Sequence, residues 1–443
     1  MQPSLKRNLV TGGLWVVIGK GATAASSFAV QVLLARLLTP EEYGVFFKAY
    51  SLVLVGSMLS QLGLHQAVVR LVAELMGSDR TTHVRAVVGV VYRWALFGVV
   101  AVVALLQFGP GSWLARGLWN SDLLAASLGA VSAWLALKSF EVITSETFRG
   151  FKDLRFAATF GGAVTALLNV TVLFVLWIVV GETDLGVVLW TVVAATTVSL
   201  LLGLVALLSR VRSLPRGDGL PARDVFQLSW PLWLNGLVTY GMVQSDIWIL
   251  GANIRDADLA VYGVAARAVA LVSQSLILVN LVVPPYIADL YARGERQRLE
   301  RVLRATATVA GIPAFVVLLA FIFFGGPILG VLFTEPYRAG ATILALLSVG
   351  KMVNVLTGSC GVTMTMTGHQ TVLLRITVVS TTLTLVGALM AVGPYGAVGV
   401  AAAVSLGTIV QNLAMWIVTR RVTGMWTHMA LPRLAAIREL FGR

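Results

Sequence analysis

Apolar runs of about twenty residues, parted by short polar connections, recur along the whole chain. A helix of that length just spans the hydrocarbon core of a bilayer. In order the runs cover roughly residues 10–35, 43–64, 84–107, 123–147, 156–180 and 185–208, then 226–251, 259–288, 305–324, 339–367, 371–391 and 396–418. The short alternating segments of a membrane β-barrel are missing from this pattern. The spacing therefore predicts an all-α polytopic membrane protein with about twelve transmembrane helices. The first run follows Lys6 and Arg7 like a signal peptide. It is too long for such an h-region and is expected to stay as an uncleaved first span.

The connection between the first two runs reads Leu33-Leu34-Ala35-Arg36-Leu37-Leu38-Thr39-Pro40-Glu41-Glu42-Tyr43-Gly44-Val45. A short charged turn follows Arg36, with Pro40 placed to break the helix, and the next apolar helix is expected from Tyr43. A related stretch returns 219 residues later. Tyr43-Gly44-Val45 matches Tyr262-Gly263-Val264, Arg36 falls on Arg255, Lys48 on Arg267 and Ala49 on Ala268. This register indicates an internal repeat. Each half holds an even number of spans, so both enter from the same side, which gives a parallel repeat of two six-helix lobes. The expected division is residues 1–208 for the first lobe, 209–225 for a Pro/Gly/Arg-rich linker, 226–419 for the second lobe and 420–443 for a basic tail.

Charge then orients the chain. Most of the 33 basic residues lie in alternate connections, 70–93, 149–155, 210–223 and 293–304, and in the tail. The opposite connections carry Glu41, Glu42, Asp122, Glu182, Asp184, Asp256, Asp258 and Glu335. By the positive-inside rule both termini are cytoplasmic, and the location is the cytoplasmic (inner) membrane. Composition agrees: 58% of the 443 residues are hydrophobic and only 12% charged, against about 25% charged in soluble chains. The net charge of +13 follows this topology and not a nucleic-acid footprint. The tail, with its leucines and arginines, suits either an interfacial helix or a solvated segment.

Ionisable groups within spans are costly and mark function or pairing. Lys20, Thr23, Ser27 and Gln31 share one stripe of the first span, and Asn235, Thr239 and Asp246 one of the seventh. Lys138, Glu141 and Ser145 form a stripe in the fourth, with Glu146 beside it, and Lys351 lies with Asn354 in the tenth. The spread over both halves suggests one polar cavity shared by the lobes. Substrate-binding candidates are Lys20, Lys48, Lys138, Asn235, Arg267 and Lys351. Asp246, Glu141 and Glu146 are candidates for ion coupling or ion pairing. Lys138 and Glu141 are also spaced to pair on their own helix. Lys20 and Lys48 have no carboxylate within a turn of their own, which favours a functional role.

Other chemistry is weakly represented. Gly12 to Gly21 departs from a P-loop at both key positions. The four histidines are scattered and Cys360 is the single cysteine, so no metal, disulfide, cofactor or catalytic residue is expected. Cys360 reads as core filler. Gly393, Gly396 and Gly399 around Pro394 mark a tight turn.

The stretch from Leu33 to Gly44 resembles polysaccharide (O-antigen type) flippases of the multidrug/oligosaccharidyl-lipid/polysaccharide exporter superfamily. Gln61-Leu62-Gly63-Leu64 and Phe148-Arg149-Gly150-Phe151 extend the resemblance, as does the twelve-span plan. It implies a non-enzymatic transporter that turns lipid-linked oligosaccharides across the membrane by alternating access. It implies as partners a polyprenyl-diphosphate-linked glycan, membrane lipids and other polysaccharide-assembly proteins, with the chain itself a monomer. Such families and the related lipid II flippases place cations on the first, second and eighth spans, and Lys20, Lys48 and Arg267 match those positions. Lys48 and Arg267 are then expected to hold the phosphate head as a pair. Two alternatives stand beside this reading: an ion-coupled multidrug exporter of the same superfamily, whose cavity should be acidic, and a membrane glycan ligase or polymerase, which needs larger external loops.

Overall fold

A computed structural model describes residues 21, 23–78, 81–215 and 222–430. All regular structure there is helical, and nine of the described helices are long and apolar enough to cross a membrane. We number the helices α1 (Thr23–Leu37), α2 (Pro40–Ser60), α3 (Leu64–Gly77), α4 (Thr81–Phe108), α5 (Asp122–Gly150), α6 (Leu154–Val179) and α7 (Leu185–Arg212). There follow α8 (Ala222–Asn253), α9 (Asp256–Val282), α10 (Pro284–Ala292), α11 (Arg296–Leu332), α12 (Glu335–Thr357), α13 (Cys360–Met366) and α14 (Gln370–Thr423).

Among the described residues these follow the apolar runs once the breaks are read; residues 10–20 of the first run lie outside the described residues. α14 covers the last two runs and is interrupted at Gly396, whose φ of 54° only glycine adopts without strain. The second run ends at Ser60, because Leu62 and Gly63 are both left-handed (φ 51° and 73°) and the chain restarts as α3. A methyl group on Gly63 would press on the Trp233 backbone nitrogen of α8, at 2.8 Å. The Gln61-Leu62-Gly63 sequence is thus a helix break with a close backbone approach. α8 is less apolar than these spans, with Pro231, Gln244 and Asp246 within it.

The Leu33–Gly44 stretch is organised by capping. Thr39 accepts the Glu42 N–H (3.3 Å) while the Glu42 carboxylate accepts the Thr39 N–H (3.1 Å), a reciprocal box with Pro40 at the first helical position. The other Glu42 oxygen accepts the Leu185 N–H at 3.1 Å and so also tethers the start of α7. Tyr43 is fully buried and its hydroxyl donates to the Gln31 side-chain oxygen at 2.8 Å. A side chain on Gly44 would collide with the Asp256 carbonyl. The repeated Tyr-Gly is therefore a packing signature, and Tyr262 is likewise fully buried.

The residues group into two compact units, up to Ala260 and from Val261 onward. In the first, Val72, Val91, Ile143, Phe148, Leu207 and Val211 join α3, α4, α5 and α7 in one apolar core. In the second, Ile287, Leu290, Leu299, Leu303 and Met425 form another. Residues 424–430 run back over this second core. The Thr427 hydroxyl donates to the Thr357 carbonyl at 2.7 Å, and the Met429 N–H donates to Leu356 at 2.8 Å. The start of the basic tail is hence a packed strap, not an interfacial helix; residues 431–443 lie outside the described residues. Cys360 is buried beside Thr427 (2.9 Å), in keeping with filler. Large apolar side chains such as Phe97, Trp190 and Phe323 face outward, as a hydrocarbon solvent allows and water would not.

Candidate functional site

A cavity of about 240 Å³ lies in the first unit among α1, α2, α5, α6 and α7. Its chemistry centres on α5. The Lys138 ammonium donates to one Glu141 oxygen at 2.6 Å, and the Thr165 hydroxyl of α6 donates to the other. The two ends of this pair differ in access. Glu141 is 1% exposed, while Lys138 keeps 28% of its side chain open. One turn beyond Thr165 sits Asn169, buried, with its side-chain oxygen unpartnered among the described residues. Tyr50 and Trp134, with ring centroids 5.6 Å apart, form an aromatic wall.

Local backbone opens this space. α6 loses its regular turns at Gly161 and Gly162, the latter at φ 127°, and both line the cavity. A methyl on Gly161 would sit 2.5 Å from the Ser145 hydroxyl oxygen, so the small residue is what lets α6 approach α5. Ser145 itself donates to the Ala157 carbonyl at 2.8 Å and clamps the start of α6. Thr23, Ser27 and Gln31 of the first-span stripe line the cavity as well.

The other expected residues fall elsewhere. Lys20 lies outside the described residues, as does the side chain of Asn235. Lys48 does not line the cavity. It is 1% exposed, its ammonium is 2.5 Å from an Asp256 oxygen, and it donates to the Trp119 carbonyl at 3.0 Å. Lys48 thus has a carboxylate after all, from a connection 208 positions away that no helical spacing could reveal. That contact to Asp256 is an ion contact without hydrogen-bond alignment. Glu146 pairs with Arg149 at 3.0 Å near the end of α5, the structural alternative for that pair. Asp246 accepts the Ile247 N–H at 2.8 Å. Arg267 and Lys351 are half-buried in the second unit. One turn beyond Lys351, Asn354 donates to Asn412 at 2.7 Å.

Sequence reasoning missed Thr165, Asn169, Tyr50 and Trp134. Thr165 and Asn169 carried a signal: they are one turn apart in an otherwise almost wholly apolar run. Tyr50 and Trp134 carried none, since aromatic residues in a span are ordinary core.

A family model described as "Polysaccharide biosynthesis protein" matches residues 33–341. No curated protein matches the chain in sequence. Among solved structures, the inward-facing conformation of a multidrug resistance MATE family transporter of the MOP superfamily superposes with a TM-score of 0.75 at 15% identity, covering 91% of this chain and 94% of that one. The lipid II flippase MurJ, in an inward closed conformation, gives 0.66 at 13% identity over 95% and 88%. A MOP superfamily transporter from Pyrococcus furiosus, described as having a binding pocket of reverse polarity, gives 0.64 at 13% over 95% and 96%. The fold is therefore that of these transporters, with twelve membrane helices in two lobes, and the chain belongs to the polysaccharide biosynthesis protein family.

Proposed function

We propose that this member of the polysaccharide biosynthesis protein family is a flippase for lipid-linked oligosaccharide or polysaccharide precursors. The observation that carries the reading is the Lys138–Glu141 pair. Both side chains line the cavity, but the carboxylate is 1% exposed with its oxygens held by Lys138 and Thr165, while the lysine keeps 28% of its side chain open. A cavity that shows a cation and hides the compensating anion favours an anionic ligand group over an organic cation. A diphosphate-linked glycan supplies that anion at the junction of lipid and sugar. The lobes of this reading are residues 1–208 and 226–419, joined by 209–225, in the cytoplasmic membrane with both termini inside. Lys20, Asn235, Arg267 and Lys351 are further head contacts in it. Lys48 is not, because its ammonium is already occupied by Asp256. The chain acts as a transporter and not as an enzyme, alongside the proteins that build and polymerise the glycan.

Purified protein in vesicles, loaded with a fluorescent lipid-linked oligosaccharide in one leaflet, tests this. Quenching from outside should show lipid exchange at least tenfold faster than in empty vesicles. Movement of organic cations without any glycan-lipid exchange would replace the reading with the multidrug exporter.

A further inference from the structure

We propose a second binding site, for the head group of an anionic phospholipid, at the basic end of the first unit. A depression of about 230 Å³ is walled by Phe148, Asp153, Phe156, Ala206, Ser209 and Arg210. It shares no lining residue with the Lys138 cavity, and its Phe148 lies about 15 Å further along α5 than Lys138 at 1.5 Å per residue. The site depends on the turn between α5 and α6. Lys152 is left-handed (φ 62°), and the Asp153 carboxylate caps the next helix by accepting the Phe156 N–H at 3.3 Å. The second Asp153 oxygen is 3.8 Å from the Arg210 guanidinium, a loose contact that leaves most of the arginine's donors available. The same guanidinium lies 5.8 Å from the centre of the Phe151 ring, which fixes its direction.

Charge and apolar surface are arranged as a lipid head group requires. The acids here are Glu146, taken by Arg149, and Asp153, taken by its cap and Arg210. Lys152, Arg155 and Arg212 are exposed and form no ion pair among the described residues. Beside them Leu154 and Phe156 are 55% and 43% exposed, and Phe156 stacks on Phe148 at 5.3 Å. Phosphate fits against Arg210, with glycerol and the first methylenes against Phe148, Phe156 and Ala206; the Ser209 hydroxyl already donates to the Ala206 carbonyl at 2.8 Å. This end carries the arginine bias that assigns it to the inner leaflet, where anionic lipids concentrate. Exposed apolar side chains beside an arginine whose donors are mostly free suit the phosphate, glycerol and first methylenes of a bulk anionic phospholipid of that leaflet, and this is the occupant.

The test is native mass spectrometry of the full chain released from nanodiscs of phosphatidylcholine with a minor share of phosphatidylglycerol. Wild type should retain phosphatidylglycerol preferentially. Arg210→Gln should weaken retention about fivefold, the scale of one basic contact at a membrane surface (about 1 kcal/mol). Arg212→Ala, at an exposed position, should act in the same direction and guards against a folding defect in the first variant. Arg116→Ala, in a connection of the opposite charge class, should leave retention unchanged. Equal retention by wild type and both variants would overturn the site. So would an equal loss in Arg116→Ala, or displacement by millimolar inorganic phosphate, which would mark a soluble-anion site. Preferential retention of undecaprenyl diphosphate in a mixed nanodisc would overturn the choice of occupant.

Discussion

Lys48–Asp256 and Lys138–Glu141 are chemically the same pair in two settings. In the first, the lysine is 1% exposed and the acid 21%. The lysine stem packs on Gly251 beside Trp119, where an added methyl would lie 3.1 Å from Lys48 Cε and 3.2 Å from Trp119 Nε1. In the second, both partners line a cavity, but the acid is 1% exposed and the lysine 28%. The first arrangement locks a connection onto α2, and the second holds a cation where a ligand can reach it. A basic residue inside a membrane span thus says little until the exposed end of its pair is known. That difference is what moves Lys48 out of the proposed head site and leaves Lys138 in it.

The largest effect should come from the closed pair. Lys48→Ala leaves the Asp256 carboxylate without its partner, and breaking a buried pair costs about 3–5 kcal/mol. The partial exposure of Asp256 puts the expectation at the lower end. Unfolding in mild detergent, followed by tryptophan fluorescence, should show it. Lys48→Met with Asp256→Leu should recover most of the loss, since an apolar replacement of a buried pair is often neutral or stabilising. A Lys48→Ala protein as stable as wild type would end the distinction between the pairs.

Next in size is the open pair. Glu141→Gln removes the charge that holds Lys138 but keeps an acceptor for Thr165. The freed ammonium turns to a cavity that admits water, so the cost should stay near about 1.5–3 kcal/mol, the scale of a hydrogen bond to a charged group. Its effect on transport should exceed its effect on stability. Glycan-lipid exchange should fall at least tenfold in Lys138→Gln and in Glu141→Gln, and survive in Lys138→Arg, which keeps the charge. A Glu141→Gln protein as unstable as Lys48→Ala, or one with undiminished exchange, would show that the two settings are not different.

The fold was legible because a membrane allows few solutions. Length, the twelve apolar runs and the charge bias leave only long helices, and left-handed glycines at 63 and 396 punctuate them where the pattern paused. The Lys138–Glu141 pair was legible because its spacing is local to one helix. What sequence could not show is whatever is joined across distance. Asp256 reads only as a charge of its connection, and it is the partner of Lys48. Glu42 reads as topology and ties α2 to α7. The Tyr-Gly repeat reads as a register mark between the halves; its two tyrosines are buried, and Gly44 admits the Asp256 carbonyl. Pairings of that kind depend on how helices meet, which no window along one helix contains.

The smallest effect belongs to a third pair, fully at the surface. Arg116 and Asp122 meet at 3.1 Å with 66% and 92% of their side chains exposed. Water already solvates both ions, and holding two long side chains in one geometry costs entropy, so exposed pairs contribute about 0–1 kcal/mol. Asp122 keeps a second, independent role in the first turn of α5, where its charge suits the helix N-terminus and Ser121 supplies the cap. Arg116→Ala should therefore leave stability within about 0.5 kcal/mol of wild type, and the residual difference should vanish at 1 M salt, where the screening length is about 3 Å. Lys48→Ala should keep its deficit under the same salt, because that pair is shielded from solvent ions. Measuring both variants at low and high salt turns the comparison into a single number, the salt-insensitive part of each loss. If the Lys48→Ala deficit also disappeared with salt, the pair would be solvated and its difference from Arg116–Asp122 would be one of degree.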